Sequence, residues 1–487
     1  MAISAEELPP PTLASVARNR PLSQSILAGI TGLMDLAICT LTGLALYAVY
    51  VAPTVTGKFG LYVTVILAFA FVAAQSLYAA GLYRFGSLIE PVRNAGRQIT
   101  VYTVLFLLLL SVGFALRISS EFSRVWAFSW LAITVTLSVS SRLIIASKLT
   151  RWAQAGLIRR NIVVYGGGEQ GERLIRHIEG LNEPWNHVVG VFDDRLARVG
   201  PDVAGHSVLG NLTDLIDWAR RNRADEVLIA LPWSAEERLL AITHCLAVLP
   251  TNVRLSPEFV GLNRLHRRMS HQYNVPMLNV MDKPMSSWGS LAKAVMDRVL
   301  GVIFLLLTVP LMGIIALAIK LESKGPALFS QQRYGFNHQL ILVHKFRTMY
   351  TDRTDVDAEH LTLRDDPRVT KVGAVLRRLS LDELPQLFNV LSGEMSVVGP
   401  RPHALRAKAG GRLYEDVVDE YATRHKVKPG ITGWAQVNGW RGNTTSEDDI
   451  IGRVEHDIYY IENWSVMFDL SIILRTFWVV LRGTNSY

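Results

Sequence analysis

The feature that most constrains the fold of this sequence is a set of four long apolar runs in its first third. Each run approaches the roughly 20 apolar residues that an α-helix needs to cross the hydrocarbon core of a bilayer. The runs lie at residues 26–51, 61–82, 99–116 and 125–145. The sequence therefore predicts a bundle of four transmembrane helices within residues 26–147, preceded by a polar tail at residues 1–25.

Basic residues in the short loops set the expected orientation of this bundle. They are more numerous before the first run, between the second and third runs and after the fourth run than in the other two loops. Because lysine and arginine are enriched in loops that stay inside, both ends of the bundle are expected in the cytoplasm. Asp35 lies well inside a run without an evident basic partner, so we expect an anchor or an oligomerisation surface rather than a transport pathway. A homodimer is expected from base rates alone.

The overall charge indicates which partners the chain could bind, and the cysteine content indicates whether it has disulfides or a zinc site. The formal net charge of +8 suits anionic partners such as lipid headgroups or nucleoside diphosphates. No basic run is interleaved with aromatic residues, so nucleic acid is not expected. The sequence has two cysteines, Cys39 and Cys245, and they give neither a disulfide framework nor a zinc pattern.

The hydrophobic pattern changes at Asn161, where a second domain begins. NIVVY predicts a buried strand, GGGEQG a tight turn and ERLIRHIEGL the helix that follows. Further strands are predicted at 187–194, 207–209, 226–232 and 252–255. Strands that alternate with helices are typical of an open, mostly parallel sheet, so residues 148–265 are predicted to form a Rossmann-like α/β domain.

The glycine-rich turn of this domain has two interpretations. Gly166, Gly168 and Gly171 would let a phosphate approach the N-terminus of a helix. Asp193 or Asp194 lies about where an acid binds a ribose in such folds. Alternatively, the glycines serve only the turn, and the domain is structural or regulatory. The spacing alone leaves both interpretations open.

A further apolar run, at residues 299–319, follows a polar linker assigned to residues 266–286. The run is long enough to cross a bilayer, but Thr308 and Pro310 lie near its centre. A proline inside a helix leaves a carbonyl unpaired and can kink the helix. We expect a re-entrant helix that breaks at these two residues and returns to the cytoplasmic face, because a crossing would translocate the arginine-rich stretch downstream. A kinked full span is the alternative.

Two adjacent carboxylates, Asp382 and Glu383, lie among arginines in the last third of the chain. These arginines are Arg364, Arg368, Arg377, Arg378 and Arg401. Arg401 lies between two prolines, and arginines with a restricted backbone suit oxyanions, so the pattern indicates a phosphate-handling site. The structural alternative is that Asp382 caps a helix starting there, since Ser380 and Glu383 have the spacing of a capping box.

Three long motifs carry a resemblance to a known family. They are KFRTM at 345–349, SLDELPQLFNVLSGEMSVVGPRP at 380–402 and KPGITGWAQVNGWRG at 428–442. In this order they resemble the bacterial sugar transferases, which are polyprenyl-phosphate hexose-1-phosphate transferases. The likeness covers roughly residues 287–487 and implies a mainly α catalytic domain there. Longer members of the family carry four spans and a Rossmann-like domain ahead of this part.

The resemblance implies an activity at the inner membrane of a bacterium. It is the transfer of a hexose-1-phosphate from a UDP-sugar to undecaprenyl phosphate, an early step of exopolysaccharide or capsule synthesis. RYGFN at 333–337 and VNGWRG at 437–442 look like the members that use UDP-glucose, with galactose as the next choice. Both substrates would be met on the cytoplasmic face.

The resemblance also implies roles for individual residues. In the family, the aspartate of the Asp-Glu pair is a covalent nucleophile. Carried over, Asp382 attacks the sugar-bearing phosphorus and Glu383 helps to hold Mg2+, a hard cation that prefers carboxylate and phosphate oxygens. The cations expected to bind the substrate phosphates are Arg333, Lys345, Arg347, Arg377 and Arg401.

Two rival functions fit parts of the pattern. A membrane-anchored nucleotide-sugar dehydratase or epimerase also shows spans followed by a Rossmann domain, but it needs Tyr-x-x-x-Lys, which this sequence lacks. The second rival is a non-catalytic scaffold for polymer assembly whose Rossmann-like domain senses a nucleotide, and an assay for lipid-linked sugar formed from a nucleotide sugar would distinguish it. The stretch at residues 464–482 is apolar all round and predicts a helix that packs on the catalytic domain or lies in the membrane interface.

Overall fold

The computed structural model of the chain forms two compact units, Met1–Arg159 and Arg160–Tyr487. The described residues are 23–54, 56–155, 157–183, 185–232, 234–256, 270–272, 275–351, 366–405, 407–409, 411–440, 442 and 446–482.

The first unit consists of apolar helices. They are α1 (Gln24–Leu46), which runs into a π-helical turn (Tyr47–Val51), α2 (Phe59–Ala79), α3 (Phe85–Ile89), α4 (Pro91–Ala115) and α5 (Arg124–Gln154). By length and composition, α1, α2, α4 and α5 could each cross a membrane, and they coincide with the four predicted runs. α4 starts earlier than its run because Pro91 is well placed in a first helical turn, and hydropathy marks only the apolar part of a helix.

Asp35 has a basic partner, contrary to the expectation from the sequence. Arg142 Nη2 lies 2.7 Å from Asp35 Oδ2, and both side chains are buried. The Ser138 hydroxyl donates to the other carboxylate oxygen of Asp35, and Gln98 Nε2 donates to Ser138 Oγ at 2.6 Å. Arg142 also donates to Leu82 O at 2.8 Å. The network connects α1, α4 and α5, so Asp35 stabilises the packing of the bundle.

We expect Arg142→Leu to destabilise this unit by about 3–5 kcal/mol, because it leaves a buried carboxylate unpaired. The double variant Asp35→Leu, Arg142→Leu should lose much less, since it removes both charges. Reaction of the buried Cys39 with a maleimide during heating in detergent reports the opening of the helices. Equal losses in the single and double variants would show that the pair does not stabilise the bundle.

The second unit begins with a sheet that has, within the described residues, the strand order β3-β4-β2-β1-β5-β6-β8-β7. The strands are β1 (Arg160–Tyr165), β2 (Asn186–Phe192), β3 (Asp202–Val203), β4 (His206–Gly210), β5 (Glu226–Ile229), β6 (Asn252–Leu255), β7 (Ser270–Gln272) and β8 (Val275–Met281). The five central strands, in the order β4-β2-β1-β5-β6, are parallel to one another. The outer strands β3, β8 and β7 are antiparallel to their neighbours. The sheet is therefore mixed, with a parallel centre.

Helices α6 (Glu169–Gly180), α7 (Leu212–Arg221) and α8 (Glu236–Leu246) connect the parallel strands. Apolar side chains from the two faces of β1 enter two separate cores, with Ile162 in one and Val163 in the other. The prediction of a Rossmann-like domain is confirmed. The predicted linker, however, contains β8, which pairs with β6. Pro276 obscured this strand in the sequence, although proline is tolerated near the edge of a sheet.

The remainder of the second unit is mainly helical. Its helices are α9 (Ser287–Glu322), α10 (Lys371–Leu379), α11 (Gln386–Ser392), α12 (Tyr414–Val417), α13 (Trp434–Val437), α14 (Glu447–Glu462) and α15 (Val466–Arg482). Its short strands are β9 (Leu328–Tyr334), β10 (Leu340–Phe346), β11 (Ser396–Val398), β12 (Lys408–Ala409), β13 (Arg412–Leu413) and β14 (Gly430–Thr432). β9 and β10 form an antiparallel hairpin, called the catalytic hairpin below.

The sequence predicted a break at Thr308 and Pro310, but α9 is a single helix through both residues. The Thr308 hydroxyl donates to Phe304 O at 2.8 Å, one turn back within the same helix. A proline removes one helical hydrogen bond, and here the helix continues because packing along its length holds it together.

One side of α9 contacts catalytic elements from its first turns to its last. Lys293 Nζ lies 2.7 Å from the carboxylate of Asp469 in α15, and the Glu322 carboxylate accepts a hydrogen bond from Lys371 N in α10 at 2.7 Å. Between these ends, Gly301 faces α11 at close range. The opposite side carries exposed apolar side chains, namely Val299, Ile303, Leu306, Leu307, Ile314, Leu317 and Leu321. Within the described structure, α9 therefore has one face packed on the protein and one apolar face that is largely exposed.

Candidate active site

The two adjacent carboxylates lie in a short 3-10 turn, Leu381–Glu383, between α10 and α11. Ser380 ends α10 in the left-handed conformation, with a φ of 57°, and its side chain does not cap the turn. The expected helix start at Asp382 is wrong, because α11 begins at Gln386 after Pro385. The carboxylates are thus presented on a turn between two helices rather than inside one.

Glu383 accepts hydrogen bonds from two cations. Lys345 Nζ lies 3.0 Å from Oε1, and Arg401 Nη1 lies 3.0 Å from Oε2 while its Nη2 donates to Oε1. Burial opposes ionisation of Glu383, but the charges of Arg401 and Lys345 outweigh it and hold its pKa below the usual range. Both carboxylate oxygens are therefore engaged by the chain itself.

Asp382 forms no ion pair within the described part of the chain, although cations surround it. Burial raises the pKa of Asp382, the adjacent charge of Glu383 raises it further, and the charges of Lys345, Arg401 and Arg377 oppose the rise. Burial leaves the Asp382 carboxylate poorly solvated, while the nearby cations favour its charged form. Such a group is suited to attack an anionic phosphorus centre.

Arg401 is held in place through its backbone. Gly399 N donates to Thr432 O and Gly430 N donates to Pro400 O, both at 2.9 Å. A Cβ atom at Gly399 would lie 2.5 Å from the backbone oxygen of Lys428, so only glycine allows this close approach. The loop from Gly399 to Pro402 is thereby locked against β14, and the Arg401 side chain points at Glu383.

Arg333 reaches the same loop from the catalytic hairpin. Its Nη1 donates to Pro402 O at 3.2 Å, and its backbone pairs with Ala404. Burial, together with the positive charge of nearby Arg401, lowers the pKa of Arg333 to about 10. The two guanidinium groups together form a positively charged region that suits an anionic ligand.

The other predicted phosphate-binding cations differ in placement. Arg377 lies beside Asp382, and its Nε donates to Thr348 Oγ1 at 2.9 Å. Arg347 is buried instead beneath the end of α9, where it donates to Ser323 O at 2.9 Å and to Thr351 Oγ1 at 2.7 Å. Phosphate binding by Arg347 is therefore not supported, because its guanidinium donates to the carbonyls of Ser323 and Lys324, which directly follow α9. Arg364 lies outside the described residues.

A second buried group supports the Arg401 loop and was not found from the sequence. Arg424 Nη2 donates to Arg401 O at 2.7 Å and forms an ion pair with Asp457 at the same distance. His403 packs beside Arg424, and burial with the charge of Arg424 holds its pKa well below the usual value. In the sequence, Arg424 and Asp457 are visible only as charged residues on otherwise apolar helical faces. That pattern does not show which charged residue pairs with which.

The glycine-rich turn of the Rossmann-like domain is explained in part by packing. Gly166 has a φ of +113°, and a Cβ atom at Gly171 would lie 1.9 Å from Gly166 O. Asp193 accepts a hydrogen bond from Gly167 N at 2.9 Å, and Asp194 accepts one from Leu212 N at 3.0 Å. These contacts need no ligand. A nucleotide at this turn, with Gly168 at the start of α6, stays a prediction.

Two family models match most of the chain from residue 78 onward. A family model described as bacterial sugar transferase matches residues 288–483, and one described as CoA-binding domain matches residues 78–257. An undecaprenyl-phosphate glucose phosphotransferase of Komagataeibacter xylinus is 37% identical over 402 residues, which cover 82% of this chain and 72% of that protein. The chain belongs to the bacterial sugar transferase family.

Other members of the family agree in length and in sequence. The UDP-glucose:undecaprenyl-phosphate glucose-1-phosphate transferase of Escherichia coli is 40% identical over 72% of this chain and 74% of that protein. The protein with the same description from Xanthomonas campestris pv. campestris is 33% identical over 76% of this chain and 77% of that protein. In this bacterial sugar transferase, Asp382, Glu383 and the surrounding cations all lie inside the matched catalytic segment.

The donor set fits Mg2+ at one carboxylate rather than two. Among the described residues, no group of three or more histidine, cysteine, aspartate or glutamate side chains could hold a metal ion. Both oxygens of Glu383 already accept from Arg401 and Lys345, so the expected role of Glu383 as a metal ligand is not supported. Mg2+ often binds through one or two carboxylates together with substrate phosphates, and Asp382 meets that requirement.

Proposed function

We propose that this bacterial sugar transferase moves glucose-1-phosphate from UDP-glucose to undecaprenyl phosphate. The observation that carries the proposal is the position of Asp382, a carboxylate without an ion pair in the described structure, among Lys345, Arg377 and Arg401. Relatives that match most of the chain are named for this transfer of glucose.

The reaction divides into two displacements at one phosphorus atom. A carboxylate oxygen of Asp382 forms a bond to the sugar-bearing phosphorus of UDP-glucose, and the bond from that phosphorus to the bridging oxygen breaks. UMP leaves with that oxygen, and glucose-1-phosphate is held as an acyl phosphate on Asp382. A phosphate oxygen of undecaprenyl phosphate then attacks the same phosphorus and releases the carboxylate. No proton transfer is required in either step, since both nucleophiles are ionised at neutral pH.

The cations around Asp382 bind and orient the phosphates. The positive charge of Arg401 helps to lower the pKa of Arg333, and a diphosphate bound between the two side chains would offset that effect. Arg377 also lies near Asp382, where it would help to hold the sugar phosphate during the attack. Bound Mg2+, held by Asp382 and the diphosphate, would supply further positive charge to the leaving nucleotide.

The proposal is tested most directly by Asp382→Asn. We expect the rate of lipid-linked glucose formation from UDP-glucose to fall on the order of 10³-fold or more, because the amide removes the attacking group. Mass spectrometry of the wild-type protein mixed with UDP-glucose alone should find a hexose phosphate on the peptide that contains Asp382. The exposed acid Asp416 provides a matched control, Asp416→Asn, which should keep full activity. An active Asp382→Asn protein would refute the assignment.

The variant Glu383→Gln tests whether Glu383 binds Mg2+ or only holds Arg401 and Lys345 in place. Since Glu383 pairs with Arg401 and Lys345, we expect KM for UDP-glucose to rise about tenfold, as for loss of charged hydrogen bonds. The Mg2+ concentration that gives half-maximal rate, and Mg2+ binding measured by calorimetry, should stay unchanged. A weaker Mg2+ affinity in this variant would show that Glu383 is a metal ligand.

The rival functions weighed from the sequence find no support in the comparisons. The relatives that match most of the chain are named as transferases. A dehydratase or epimerase would need the Tyr-x-x-x-Lys that this sequence lacks. Galactose is the remaining alternative for the sugar, and competition between UDP-glucose and UDP-galactose in the transfer assay decides it.

The protein is expected in the bacterial inner membrane, with α1, α2, α4 and α5 as four spans and the catalytic part on the cytoplasmic face. α9 is proposed to enter the near leaflet and leave on the same side. α9 contacts α15 at one end, α11 in the middle and α10 at the other, and charged groups take part at both ends, where Lys293 pairs with Asp469 and Glu322 accepts from Lys371 N. A full crossing would carry these elements into hydrocarbon, where charged side chains are costly. The exposed apolar side chains of α9 and α15 would face lipid.

Cysteine labelling tests this topology. In a variant without Cys39 and Cys245, single cysteines are placed at Ser290 and Lys324, which are exposed on either side of the apolar run. A cysteine at Thr56, in the loop expected outside, is the positive control. In intact cells, an impermeant maleimide should label position 56 and leave 290 and 324 protected until the membrane is opened. Labelling of 324 with protection of 290 would show that α9 crosses.

A further inference from the structure

The motif RYGFN at residues 333–337 covers the end of β9 and the tip of the catalytic hairpin, and its two ends contact different parts of the second unit. Arg333 faces the loop that carries Arg401, whereas Asn337 faces the Rossmann-like domain. The proposed chemistry uses Arg333 but gives no role to the tip. The tip therefore needs an explanation of its own.

The tip binds the C-terminal end of α7. Asn337 Nδ2 donates to Ala219 O at 3.0 Å and to Arg220 O at 3.4 Å, and Gln339 Nε2 donates to Arg220 O at 3.4 Å. Carbonyls in the last turn of a helix lack partners inside the helix, so they are available as acceptors. Asn337 has a φ of 53°, a left-handed conformation that asparagine tolerates better than most residues. The tip is thus shaped to cap α7.

Aromatic packing strengthens the same contact. The rings of His338, at the tip, and His425 lie 4.3 Å apart, and Tyr334 packs against both. Burial, together with the positive charge of Arg220 at the end of α7, lowers the pKa of His338 to about 4. An uncharged imidazole can stack without repulsion beside Arg220. The turn that contains His425 also contains Arg424, which donates to Arg401 O.

From the tip, hydrogen bonds lead to the catalytic carboxylates. Arg333 Nη1 donates to Pro402 O at 3.2 Å, and the backbone of Arg333 pairs with Ala404. Pro402 follows Arg401, whose guanidinium holds Glu383. Between the end of α7 and Glu383 the route consists of hydrogen bonds and of two short chain segments, from Asn337 back to Arg333 and from Pro402 to Arg401. A loosened tip would therefore release Arg333 and weaken the support of Arg401.

We propose that the Rossmann-like domain positions the catalytic hairpin for the binding of the UDP-sugar diphosphate, by holding its tip at the C-terminus of α7. Asn337 is the main positioning residue, acting on substrate through Arg333 and Arg401. The inference rests on the proposed function for its kinetic consequences. It gives the domain a role that requires no nucleotide in the glycine-rich turn.

The test compares Asn337→Asp with Asn463→Ala in the full chain reconstituted in lipid. Aspartate keeps the size and the tolerance of a left-handed backbone but cannot donate to the α7 carbonyls. Asn463 Nδ2 donates to Tyr459 O at 2.9 Å near the end of α14, so its loss removes the same kind of bond without touching the hairpin. We expect KM for UDP-glucose to rise about three- to tenfold in Asn337→Asp with kcat within about twofold, and no change in Asn463→Ala.

A double variant tests the route. If Asn337 acts through Arg333, then Arg333→Lys combined with Asn337→Asp should raise KM no more than Arg333→Lys alone. If the increases in KM of the two single variants multiply in the double variant, the two residues act independently and the proposal is overturned. An unchanged KM in folded Asn337→Asp protein would overturn it as well.

Hydrogen–deuterium exchange separates this inference from the proposed function, because it needs no turnover. In Asn337→Asp, amides at residues 399–404 and 340–346 should exchange faster than in the wild type, whereas Asn463→Ala should leave them unchanged. Unaltered exchange at 399–404 would overturn the coupling even if glucose transfer is confirmed. Faster exchange would support the coupling even if the sugar proves to be different.

Discussion

The structure depends on a concentration of positive charge around two adjacent carboxylates. Lys345, Arg377 and Arg401 come from three separate elements and bring their positive charges to the same turn. Glu383 offsets part of this charge by accepting hydrogen bonds from two of the cations. The remaining positive charge suits a diphosphate, and it leaves Asp382 ionisable yet unpaired within the described residues. Substrate binding and stability of the site therefore draw on the same charges.

The elements that carry these charges are held by a second set of buried ions. Lys293 in α9 pairs with Asp469 in α15 and lies 3.3 Å from Asp297, which in turn accepts hydrogen bonds from Ser396 and Val397 in β11. Separating these elements would leave charges buried without partners, which is costly. β11 leads directly into the Arg401 loop. The long apolar helix is thus bound to the active site by charges as well as by packing.

Sequence reasoning succeeded where the signal is local. Apolar runs predicted the long helices, and strands alternating with helices predicted the Rossmann-like sheet. The Asp-Glu motif identified the two carboxylates that lie among cations in the structure. It failed where neighbours in space decide. β8 joins the sheet only because β6 offers an edge, and Arg347 is engaged by the backbone at the end of α9. Pro310 does not break α9, since contacts along the whole helix hold it together.

The sequence by itself determined which residues carry charge, which stretches are apolar and where turns fall, because composition and periodicity act over a few residues. The tertiary structure decided which charges meet. Asp35 and Arg142 are far apart in the sequence yet form one buried pair, and Arg424 finds Asp457 in the same way. The contact of Asn337 with the end of α7 is of this kind too. No local pattern encodes such pairs, since they depend on distances that exist only after the chain has folded.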